Sequence, residues 1–200
     1  GFLLSGNMAG IFCVLYASLM ALPAPFAAVH LLFINLLTDS LPAIAIGMEP
    51  AGSDLLNRKP RDPKEPLLSG DLVKRIGLQG LLIAVPVMTA FYLGYQSGTA
   101  EAMTMAFATL CLSRLFHGFN CKAATPVILK KQFWNNKYLL GAFLLGVLLL
   151  AAVLLIPVLE PLFQIAQLSA PLVGAIAGLA FGSMLVIQLL KAIRTALAKK

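Results

Sequence analysis

The chain has 200 residues, of which 60% are apolar and only 12% charged, with a formal net charge of +7. Its mean hydropathy is +0.90. A water-soluble domain is closer to half apolar and about a quarter charged, so the composition excludes an ordinary soluble globule and makes the bilayer the expected solvent.

A bilayer core takes about 20 apolar residues per helix. Six segments meet that length, at 2–22, 26–48, 76–95, 102–119, 139–158 and 172–193. The expected fold class is therefore an all-α membrane protein, a six-helix transmembrane bundle whose second helix is interrupted near Pro42. All of 1–200 reads as one transmembrane domain. The chain opens at Gly1 within apolar sequence and without a secretory signal pattern, which leads to the expectation of a piece cut from a longer protein.

The first span carries one amide side chain, Asn7, which reads either as an interhelical hydrogen-bonder or as a ligand. The link "ALPAPF" follows, and Pro23 and Pro25 suit a tight turn there. The second span contains "INLLTDSLPAIAIGMEP". Asn35, Thr38 and Asp39 stand at i, i+3 and i+4 and share one helical face. A carboxylate at mid-span costs about 2.5–3.5 kcal/mol on insertion scales, so Asp39 has to face protein, water or a cation. Pro42 lacks an N–H, which predicts a loosened backbone at 43–47 and free carbonyls lining a cavity. Carboxylate, amide, hydroxyl and carbonyl together form a hard oxygen donor set of the type that suits Ca²⁺. Interrupted helices at midplane ion sites are a recurring transport solution. The competing reading makes Asp39 a glue residue pairing with a neighbouring helix. His30, near the other end of the span, reads as core packing.

A long charged loop, 49–75, comes next. Its "RKPRDPKEPL" has prolines at 60, 63 and 66, the mark of a stiff, extended linker. The fourth span is the least apolar, because it holds Arg114 and His117. A guanidinium does not deprotonate in proteins. Arg114 therefore either pairs with a carboxylate, for which Asp39 is the natural partner, or snorkels to the nearby interface. His117, one turn on, reads as interfacial. The cysteines, Cys13, Cys111 and Cys121, have no CxxC or metal-ligand spacing and read as thiols of the core or lipid face.

Every Lys and Arg except Arg114 falls in the loop at 49–75, the connection before the fifth span, or the C-terminal tail. That asymmetry predicts a multi-pass protein of the cell membrane with both long loops and both termini cytoplasmic. It is an orientation signal and not a nucleic-acid signal, since no basic, aromatic-interleaved soluble module is present. No GxGxxG or GxxxxGK[ST] occurs, so neither a catalytic nor a nucleotide- or cofactor-binding residue is expected in these 200 residues.

"NLLTDSLPAIAIGMEP" followed by "NRKPRDPKEPLLSG" resembles the sixth transmembrane helix and the following cytoplasmic loop of P-type calcium-transporting ATPases, closest to the sarcoplasmic-reticulum type and its bacterial relatives. "AMTMAFATLCLSRLFHGFN" resembles the eighth helix. The resemblance implies that the six spans are the fifth to tenth helices of a ten-helix pump. Such pumps export Ca²⁺ by hydrolysing ATP with Mg²⁺ through an aspartyl-phosphate. The Asp-Lys-Thr-Gly motif, the cytoplasmic domains and the first four helices precede this region in the family, so this chain by itself is not expected to be an ATPase. Its implied partners are membrane lipid, the remaining helices and cytoplasmic domains of the parent pump, and the transported cation.

The resemblance also implies ligands. Asn35 and Asp39 match sixth-helix ligands of a site that a fourth-helix glutamate and carbonyls complete. Thr38 and Asn7 match ligands of a second site. The fifth-helix glutamate of that second site falls at Gly10, and the eighth-helix glutamate falls at Arg114. With two carboxylates lost and one replaced by a cation, one Ca²⁺ per cycle is expected, with Arg114 as a built-in cation or counter-ion. The loop at 49–75 is expected to dock beneath the phosphorylation domain. The alternative function is a self-contained six-helix cation channel or secondary transporter. A third possibility, a structural membrane subunit, leaves the shared face of Asn35, Thr38 and Asp39 without explanation.

Overall fold

The structure, a computed structural model, describes residues 1–49, 69–123, 125–128 and 133–197. No strand occurs among them. Six helices account for most of the described chain: α1 (Phe2–Leu19), α2 (Ala28–Gly47), α3 (Gly70–Tyr95), α4 (Thr99–Cys121), α5 (Lys137–Leu155) and α6 (Ala170–Leu197). Five of them, α1, α2, α3, α5 and α6, are long and apolar enough to cross a membrane. The expected fourth span, α4, has the length at 23 residues but not the apolarity.

α1 ends by closing on itself. The Leu22 N–H donates to the Ala17 carbonyl at 2.9 Å and the Ala21 N–H to Ser18 at 3.3 Å, the paired bonds of a Schellman ending. Ala21 takes the left-handed conformation, φ 53°, that this ending requires. The prolines of "ALPAPF" then carry the chain across to α2.

α2 is helical throughout, but Ile34–Asp39 is a π-helical turn between two α-helical pieces, Ala28–Phe33 and Ser40–Gly47. The sequence reading placed the loosening at 43–47, after Pro42. The structure places it one turn earlier. The pyrrolidine ring crowds the carbonyl four residues back and withholds the bond that carbonyl would accept, so the disturbance falls on the preceding turn. Two hydroxyls take up carbonyls of the widened turn: Thr38 Oγ1 donates to Ile34 at 2.9 Å and Ser40 Oγ to Asn35 at 3.0 Å.

The loop expected at 49–75 is shorter than read, because α3 begins at Gly70. Ser69 caps it, its Oγ accepting from the Leu72 N–H at 3.4 Å, with Asp71 in the first turn where the helix dipole favours an acid. The "RKPRDPKEPL" segment lies outside the described residues. α3 and α4 form a tight hairpin. A Cβ on Gly94 would stand 2.7 Å from the Glu101 carbonyl oxygen and 2.8 Å from the Ala102 backbone, so only glycine permits this approach.

α4 is the axis of the bundle. It packs along α3 and α6 and also meets α1, α2 and α5. Residues 104–111 are all buried, as are Ser113, Arg114, Leu115 and His117–Asn120. Its polar side chains therefore face protein instead of lipid, while α1, α3 and α5 present exposed leucines, valines and isoleucines outward. After α5, the corner Pro157–Phe163 turns the chain and ends at Gln164 with a left-handed φ of 52°.

The starts of α3 and α5 and the ends of α2, α4 and α6 meet at one end of the bundle. Asn136 Nδ2 donates to the Ala45 carbonyl and to Glu49 Oε2, both at 2.8 Å, while its Oδ1 caps α5 through the Leu139 N–H. Lys122 Nζ lies 3.6 Å from Glu49 Oε2. Burial lowers the Lys122 ammonium below its ordinary pKa, and the neighbouring Glu49 carboxylate opposes that shift.

Candidate cation site

The π turn of α2 brings Asp39 against α4. Arg114 Nη1 donates to Asp39 Oδ2, and Nη2 donates to Asn7 Oδ1 of α1 at 2.9 Å. The ion pair is buried, with 3% and 6% of the two side chains exposed. Of the two readings of Arg114, partner or snorkel, the structure takes the first. A fixed fork with five N–H donors reaches two oxygens on two helices, which a lysine would do less precisely.

Space for the guanidinium comes from α1. A Cβ on Gly6 would lie 3.0 Å from Arg114 Nε and 3.1 Å from Cζ, whereas one on Gly10 would meet nothing within 4 Å. Gly6 escaped the sequence reading. Its signal was the i, i+4 glycine pair bracketing Asn7.

Asn7, Gly10, Asn35 and Arg114 line one groove of about 380 Å³, walled by aliphatic side chains of α1 and α2. Asn35 is exposed in it, and Asp39 sits behind the guanidinium, 4% exposed. Thr38 is fully buried with its hydroxyl spent on Ile34. The structure thus brings Asn7, Asn35, Asp39 and Arg114 together, while the Thr38 side chain is taken up by the Ile34 carbonyl and the Cys111 thiol of α4. Among the described residues no three His, Cys, Asp or Glu side chains converge as a metal-holding group. The polar chemistry here is two amides, one carboxylate and one guanidinium.

The histidines divide. His30 is in the core, as read. Its Nδ1 accepts from the Ala27 N–H at 3.1 Å, so the ring proton sits on Nε2 and is donated to the Phe163 carbonyl at 2.7 Å, and the ring stacks on Phe107. His117 is not interfacial. It is buried, with Nε2 at 2.8 Å from Ser5 Oγ and 3.4 Å from Cys121 Sγ, and stacks on Phe2. The cause is that α4 lies inside the bundle along its whole length, which the sequence of α4 alone does not reveal. A further polar contact, Gln188 Nε2 to Asn120 Oδ1 at 2.8 Å, joins α6 to α4 and was likewise missed. Amides within apolar spans are the signal that would have found it.

Comparison with known proteins now bears on this site. Residues 23–193 match the family described as cation transporting ATPase, C-terminus. The chain belongs to that family. The cation-transporting ATPase C-terminus is similar, at 39% identity over 84% of its length, to the calcium-transporting ATPase of Bacillus subtilis. It is 39% identical over 70% of its length to a calcium-transporting ATPase of Listeria monocytogenes, and 34% identical over 96% to calcium-transporting ATPase 1 of Lactococcus lactis. It covers 19%, 16% and 22% of those relatives, so this C-terminus spans about a fifth of the proteins it matches. The cation-transporting ATPase C-terminus is a membrane region, as its apolar helices require.

Proposed function

We propose that the chain is the C-terminal transmembrane region of an ATP-driven Ca²⁺ export pump and contributes to a single intramembrane cation site. The observation that carries the reading is the Arg114 guanidinium standing between Asp39 and Asn7. The names of the relatives support Ca²⁺ as the cargo. All six helices cross the bilayer in this reading, α4 entering shielded by the other five. Both ends of the chain face the cytoplasm, in keeping with the cations gathered at one end of the bundle.

Asn35 and Asp39 supply oxygen ligands from α2, and helices beyond this chain complete the shell. Arg114 takes the place of a second ion. A fixed cation beside Asn7 repels a divalent one, and the open space next to Gly10 holds no carboxylate to offset it. Thr38 acts by holding the π turn open rather than as a ligand. Mg²⁺ and ATP serve cytoplasmic domains outside this chain.

The test uses the whole protein that carries this chain. Ca²⁺ bound per phosphoenzyme is expected to be about one, with a Hill coefficient close to one, because one site lacks compensating charge. Two ions per phosphoenzyme would remove the one-site reading. Arg114→Glu is expected to raise the stoichiometry toward two. Passive Ca²⁺ flux without nucleotide would favour the channel reading instead, but membership of the ATPase family speaks against it.

A further inference from the structure

A second polar feature lies away from the cation site. Between the first turns of α3 and the last turns of α6 is a pocket of about 470 Å³ into which Arg75, Lys191 and Arg194 converge, with Gln79 and Thr125 beside them. Among the described residues no Asp or Glu lines it. Arg75 and Arg194 make no ion pair among the described residues. Arg75 is near enough to Lys191 for their like charges to act on each other.

Lys191 is held in place by protein. Its Nζ donates to the carbonyl of Asn120 and, at 2.6 Å, to that of Ala123. An ammonium has three N–H donors, so one remains. Three cations set side by side repel one another, and the arrangement becomes favourable once an anion sits among them. Arginine forks match phosphate oxygens in a bidentate way. Exposed Leu78 and half-buried Leu82 and Leu190 give it apolar walls, and a free inorganic ion has no use for such walls.

We propose that this pocket binds the phosphate of an anionic phospholipid from the leaflet at that end of the bundle. Basic pockets between transmembrane helices are suited to acidic headgroups. The inference rests on membrane embedding and not on the identity of the transported ion, so it stands or falls separately from the Ca²⁺ reading.

Native mass spectrometry of the whole protein tests it, with dioleoyl phosphatidylglycerol and dioleoyl phosphatidylcholine as competing probes. Phosphatidylglycerol is expected to be retained about tenfold more than phosphatidylcholine, and the Arg75→Gln/Arg194→Gln double variant to lose most of that preference. The Arg75→Lys/Arg194→Lys pair is expected to keep more of it than the Gln pair but less than the wild type, since the charge stays and the fork is lost, and Lys137→Gln, a cation outside the pocket, to leave it unchanged. Both arginines are exposed, so the substitutions leave the core intact. Equal retention of the two lipids, or an unchanged preference in the Gln double variant, would overturn the proposal. A further arm adds inorganic phosphate: no displacement of the lipid supports the headgroup as the source, whereas full displacement assigns the pocket to a soluble phosphate and overturns the lipid assignment.

Discussion

Arg114 of α4 is bonded to Asp39 of α2 in a site almost closed to solvent. Each charge makes the other tolerable inside the membrane. Removing one partner of a buried pair typically costs about 3–5 kcal/mol, because the remaining charge is stranded. Arg114→Met keeps much of the volume and discards the charge. The variant is expected to melt at lower temperature than the wild type in chelator and to gain more from added Ca²⁺, since an ion can then neutralise Asp39. Thermal melts with and without Ca²⁺ measure both. Identical Ca²⁺ shifts in the two proteins would mean that guanidinium and ion do not share the carboxylate.

Two glycines of one helix are expected to behave differently. A methyl on Gly6 presses on Arg114 Nε at 3.0 Å, while one on Gly10 points into open space. Overpacking of this kind costs about 1–3 kcal/mol. Gly6→Val is therefore expected to lower the melting temperature and disturb the ion pair. Gly10→Ala should hold or raise the melting temperature, since alanine favours a helix interior by about 0.5–1 kcal/mol over glycine. Equal melting temperatures for the two variants would contradict the placement of the guanidinium against Gly6.

Pro42→Ala restores the missing backbone donor. The Thr38 carbonyl then has its partner, and the π turn at Ile34–Asp39 can close to an ordinary α turn. Removing one residue's worth of offset turns Asp39 by about 100° relative to the helix beyond it. Ca²⁺ affinity in the whole protein is expected to fall while thermal stability holds or rises. Unchanged affinity would show that the widened turn does not position Asp39.

Ala21→Gly offers a gain. Ala21 sits at φ 53°, where an L side chain costs about 1–2 kcal/mol and glycine does not. Part of that gain is returned through the freer unfolded chain. A modest rise in melting temperature is expected, with transport untouched, because the turn is remote from the cation site. A fall in melting temperature would argue against the Schellman closure of α1.

Much of this was legible in the residues. Apolar runs marked the five helices that are long and apolar enough to cross a membrane, and the shared face of Asn35 and Asp39 pointed to the place where Arg114 and Asn7 converge. Spacing along a chain says which side chains share a face but not what that face meets. That is why the partner of Arg114 stayed open between two readings and why His117 was assigned to the interface. The loosened backbone is expected at 43–47 when the missing N–H is followed forward, whereas proline disturbs the carbonyl behind it and the π turn falls at Ile34–Asp39. Gly6 and the bond of Asn136 to Ala45 were passed over, since each contact is with a residue about a hundred positions away. Thr38 shares the face of Asn35 and Asp39, yet its hydroxyl turns back on its own backbone, a local competition that periodicity does not resolve.

The close approach at Gly94 bears on how the protein reaches the bilayer. α4 is not apolar enough to count as a span by itself, and only three residues, Gln96 to Gly98, separate it from α3. An insertion machinery that weighs each segment separately would reject α4 and accept α3. Packed together at Gly94, the two form one helical hairpin, so in the proposed topology the more apolar α3 would carry the weaker α4 in with it. In that topology, where α4 also crosses the bilayer, Arg114 would enter the membrane as part of the α3–α4 hairpin.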